Sequence, residues 1–143
     1  MQDDPNTRAA LTPQEALIYA MVTTAASDRT IADVEIARMH SLVRELPVFR
    51  GLDESWFNRE ARECGRILSR SDGIKNIVRL IAEALTGELR ETAYALAAEV
   101  AASDLALKDD ERSFLTLLAE GLQLDDLVRA ALQRSAHVRH VAP

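Results

Sequence analysis

Six acidic residues carry the strongest chemical suggestion in this chain. Asp28, Asp33 and Glu35 follow Ala25-Ala26-Ser27, and Asp104, Asp109 and Glu111 follow Ala101-Ala102-Ser103 at the same spacing, seventy-six positions later. Clustered carboxylates repel one another unless a positive charge compensates them, and a hard divalent cation taking oxygen ligands is the natural compensator. Acids in the first turn of a helix also have a plainer role, because the partial positive charge of that terminus stabilises them. Both readings apply here: Asp33, Glu35, Asp109 and Glu111 fall where helices are expected to start, and Asp28 and Asp104 where the preceding helices end.

Such acids need a scaffold, and the chain reads as helical throughout. A capping box, Thr12-Pro13-Gln14-Glu15, opens a first helix in which Leu17, Ile18, Met21 and Val22 share a face. A second helix from about Asp33 buries Ile36, Met39 and Val43 and stops at Pro47. Asp53 caps a third that ends near Ser69 and carries Phe57 and Cys64 inward. Ser71-Asp72-Gly73 then starts a fourth, which reaches towards Gly87. The fifth, from about Glu88 to Ser103, is rich in alanine, so it is expected at the centre, where small side chains allow close approach. A sixth runs from about Asp109 to Gly121. A seventh begins near Leu124 and is expected to bury Leu127, Val128 and Ala131. The fold class is therefore an all-α, single-domain bundle of about seven helices. It contains an internal duplication and spans residues 12–136, between an N-terminal tail (1–11) and a C-terminal tail (137–143).

Composition restricts the function. A net charge of −6 over 143 residues argues against nucleic acid as the main ligand, since phosphate contacts draw on Lys and Arg. Cys64 is the only cysteine, so neither an intrachain disulfide nor a cysteine-based zinc site can form, and its apolar face suggests an inert core thiol. No apolar run is long enough to cross a bilayer, and Met1-Gln2-Asp3-Asp4-Pro5 is unlike a signal peptide, so a cytoplasmic location is expected. Glycine-rich phosphate loops, nucleophile elbows and HExxH pairs do not occur. Counting from Asp28 or Asp104, position twelve is Met39 or Leu115, which excludes an EF-hand.

Two copies of Ala-x-Ser-Asp-x-x-Ile/Leu-x-x-x-Glu, at Ala25–Glu35 and Ala101–Glu111, in an all-helical chain of this length, resemble the TerB-like tellurite-resistance family. The resemblance runs from Thr12 to about Leu132. It implies a compact helical domain with pseudo-twofold symmetry, a metal-associated acidic surface, and a place in systems answering tellurite, other chemical stress or phage. It carries over Asp28, Glu35, Asp104 and Glu111 as candidate ligands of a divalent cation, with Asp33 and Asp109 as weaker additions. The family commonly has glycine after the motif aspartate; Arg29 and Leu105 stand there instead.

The expected function is that of a non-enzymatic stress-response protein whose acidic loops bind a divalent cation or a cationic protein partner. The alternatives are a metal-free interaction module and a metal-dependent hydrolase using the same carboxylates. The module would use either a stripe of Arg59, Arg62, Arg66 and Arg70 or a homo-oligomer interface. His137 and His140, three apart, suit a metal only if the last helix reaches them, and otherwise belong to the tail. His40, Trp56 and Phe57 read as structural.

Overall fold

The computed structural model describes residues 10–27, 31–104 and 109–143. Seven α-helices follow one another: α1 (Pro13–Ala26), α2 (Asp33–Glu45), α3 (Glu54–Leu68), α4 (Gly73–Ala84), α5 (Glu88–Ser103), α6 (Asp109–Gly121) and α7 (Asp126–Arg139). A short 3-10 helix, Pro47–Phe49, sits between α2 and α3, and among the described residues there is no strand.

Helix α1 is buried on every side from Ala16 to Ala25, and α5 is nearly so from Ala93 to Ala101. A helix apolar all round belongs inside a bundle, and these two pack against each other at its centre. Alanines at 93, 97, 98 and 101 keep the α5 surface low, which permits that approach. The Thr12 hydroxyl accepts from the Glu15 N–H at 3.1 Å, and the Glu15 carboxylate accepts from the Thr12 N–H at 2.8 Å, so the capping box forms as expected. The core begins one residue earlier, at Leu11.

The outer helices repeat around this pair. The bounds of α2 and α6 differ by seventy-six at both ends. Helix α3 packs on α1 as α7 packs on α5, and α2 reaches α5 as α6 reaches α1. These reciprocal contacts are those of two helical units related by a pseudo-twofold axis. Helix α4 stands outside the repeat, against α1, α3 and α6. Its start is tight: Asp72 adopts a left-handed backbone (φ 59°), and a Cβ on Gly73 would lie 2.5 Å from the Leu68 carbonyl oxygen. The Arg90 guanidinium donates to the carbonyls of Ala82, Leu85 and Leu122, closing the ends of α4 and α6.

The last helix departs from the sequence expectation in two ways. It extends to Arg139, so residues 137–139, expected in the tail, are helical. It is also rotated: Leu127 is 77% exposed and Ala131 is exposed, Val128 is only half-buried, and Ala136 is the buried residue. The anchors of α7 are polar. Arg129 Nη2 donates to Thr116 Oγ1 at 3.0 Å, and Arg139 and His140 both bind Glu99. Beside those contacts Leu132 packs against the core and Ala136 is buried, and Leu127 is left outside.

Candidate acidic site

The six motif acids do not share one environment. Asp33 and Asp109 are the first residues of α2 and α6 and are exposed, as helix-terminal carboxylates stabilised by the terminus should be. Glu35 and Glu111, two positions on, point the other way, since two residues turn a helix by about 200°. Each is only 1% exposed. Asp104 is the half-buried residue that closes α5. Asp28, with Arg29 and Leu105, lies outside the described residues.

Burial of two carboxylates at equivalent positions demands compensation. At Glu35 it is half supplied: Oε1 accepts from the Ala32 N–H at 3.1 Å, a backbone capping contact. Glu35 Oε2 is buried and has no hydrogen-bond partner among the described residues. The capping explanation therefore accounts for one oxygen and leaves the second buried without a partner among the described residues. A buried acceptor left in that state costs about 1–3 kcal/mol, and more when charged. Among the described residues no three His, Cys, Asp or Glu side chains gather as a complete metal-ligand group. Carboxylates are hard oxygen donors, the kind of ligand that suits a hard cation rather than a soft metal needing nitrogen or sulfur.

A further buried acid escaped the sequence reading. Glu99 on α5 is 3% exposed and takes the position that Thr23 holds in the first copy, seventy-six residues earlier. Three side chains from two segments, α2 and the end of α7, converge on it. Arg38 Nε of α2 lies 2.9 Å from Oε2, His140 Nε2 lies 2.6 Å from the same oxygen, and Arg139 binds Oε1. Burial pushes this carboxyl upward, but the hydrogen bonds from His140 and Arg139 outweigh it and hold the group below the usual carboxylate range. Its signal in the sequence was a lone charge inside the alanine-rich stretch Ala93–Ala102. At the matching place in the first copy, Thr23 and Cys64 share a buried 3.4 Å hydrogen bond. Burial pushes the Cys64 thiol up to about 12, so it is inert.

The arginine stripe is shorter than its spacing implied. Arg59, Arg62 and Arg66 are exposed on α3, while Arg70 lies past the end of that helix. Arg66 is paired with Glu63 at 2.5 Å, and Arg59 Nε is 4.0 Å from Glu60. His40 packs edge-on against Phe57, with centroids 4.9 Å apart. No described helix is long and apolar enough to cross a membrane. No family model, curated protein or solved structure matches the chain.

Proposed function

We propose that this chain is a TerB-like stress-response protein, non-enzymatic, whose two acidic loops bind a divalent cation or a cationic surface of a protein partner. The observation that carries the reading is the burial of Glu35 and Glu111, the motif glutamates of both copies, with Glu35 Oε2 lacking a partner among the described residues. A carboxylate placed only to cap a helix would stay solvated, as Asp33 and Asp109 do. A hard cation supplies what the interior lacks, and Asp28 and Asp104 are the next ligands along each loop. The test is calorimetric titration of the full chain with calcium, magnesium, manganese and zinc, repeated on Asp28→Asn with Asp104→Asn and on Glu35→Gln with Glu111→Gln. Saturable binding by wild type, lost in both double variants, supports the proposal. Absence of binding at millimolar cation, or equal binding by the variants, rejects it.

One observation favours the alternative of a homo-oligomer interface. Leu127, Ala131 and Val138 on α7 are exposed and fall, with Arg134 between them, at the four- and three-residue steps of a helix–helix seam. Sedimentation of wild type against Leu127→Glu decides it: a dimer that dissociates in the variant supports that reading, and a monomer in both excludes it.

A further inference from the structure

Between α5, α6 and the end of α7 lies a cavity of about 510 Å³, within the size range of small-molecule sites. Its floor is made of the small side chains Ala98, Ala101, Ala102 and Ala136 together with Leu115.

The duplication shows how this space arises. At the offset of seventy-six, Ala98, Arg112 and Leu115 correspond to Val22, Ile36 and Met39 of the first copy. Val22 and Met39 are buried in the core there, and Ile36 packs against it. The second copy replaces a buried valine by alanine and an apolar isoleucine by an exposed arginine. Volume that one copy fills with its own side chains is left open in the other, with a cation at its edge.

The polar lining has a definite character. Arg112, His137 and His140 bring donors to the cavity, against the single carboxylate of Asp104. His140 is fixed by its 2.6 Å bond to Glu99, which leaves only its other ring nitrogen for a ligand. Neither Arg112 nor His137 is paired with a carboxylate among the described residues.

We propose that this cavity binds a small organic acid, with its apolar body on the alanine floor and its carboxylate held by Arg112 and His137. The inference does not rest on cation binding by the acidic loops, but Asp104 belongs to both sites, so its test uses metal-free buffer and the two fail separately. Benzoate and octanoate are titrated into the ¹⁵N-labelled full chain, with benzyl alcohol and octylamine as neutral and cationic controls. The expected result is saturable shifts confined to α5, α6 and α7 residues around the cavity for the two acids only. Arg112→Ile and His137→Ala, both exposed positions, each weaken binding about tenfold, the effect of one lost charge-assisted hydrogen bond. Ala98→Val, which restores the side chain of the first copy, blocks it. The inference is overturned if neither acid gives saturable shifts, if the alcohol or amine binds equally well, or if Arg112→Ile and His137→Ala bind like wild type. The two surface variants decide the matter even if Ala98→Val fails to fold.

Discussion

Replacing Glu99 by alanine tests the linkage between the two halves of the bundle. The carboxylate is 3% exposed and accepts from Arg38, Arg139 and His140, so removing it strips an acceptor from three side chains on two other segments. Breaking a fully buried pair costs about 3–5 kcal/mol, whereas an exposed pair contributes about 0–1 kcal/mol. Arg38 and Arg139 have side chains 31% and 52% exposed and can rehydrate, which places the loss between those limits, at about 2–3 kcal/mol. For a chain of 143 residues, at about 3 °C per kcal/mol, Tm falls by about 6–9 °C. Urea unfolding followed by circular dichroism measures the loss directly, and a double-mutant cycle with Arg139→Ala isolates the pair. The pH dependence has a fixed sign. Because the folded-state carboxyl is held below its ordinary range, its contribution is complete above that range and fades as pH falls through the folded value. The stability gap between wild type and Glu99→Gln therefore narrows on acidification below about pH 4. A loss under about 0.5 kcal/mol for Glu99→Ala, the size of an ordinary surface substitution, refutes the reasoning. A gap that does not change between neutral and acid pH refutes it as well.

Two further outcomes follow from the packing. Cys64, buried and with its thiol raised to about 12, does not react with a disulfide reagent at about pH 8 in the native protein and reacts fully in urea; labelling of the folded chain would contradict its core placement. Gly73→Ala drives a Cβ to 2.5 Å and 2.8 Å from the backbone oxygens of Leu68 and Ile67 and lowers stability by about 2 kcal/mol, whereas Gly65→Ala on open α3 surface raises it by about 0.5–1 kcal/mol; chemical denaturation of both variants checks the contrast.

Helix positions were legible where a local signal and the hydrophobic period agreed. The Thr12 capping box, the Asp53 cap, the alanine-rich centre of α5 and the common offset of α2 and α6 are of that kind. Helix α7 was not, because periodicity identifies an apolar face without showing what competes for the interior. There Arg129, Arg139 and His140 reach acceptors on α6 and α5, and Leu127 is turned outward. Glu99 was missed for a related reason: its partners lie 61, 40 and 41 residues away, beyond any local pattern. The acidic motif was legible as a set, yet spacing alone did not divide it. The two-residue step that turns Glu35 inward while Asp33 faces water is a property of the helix once its first residue is fixed.

The central claim concerns Glu35 and its counterpart Glu111, and the most direct measurement is crystallographic. Crystals grown with manganese and measured for anomalous scattering should show a peak at about 2.2–2.6 Å from Glu35 Oε2, the oxygen without a partner among the described residues, and an equivalent peak at Glu111 or one shared by both. An anomalous map with no peak at either glutamate, at manganese concentrations that saturate ordinary carboxylate sites, would contradict the account and leave the repeated acids as helix caps.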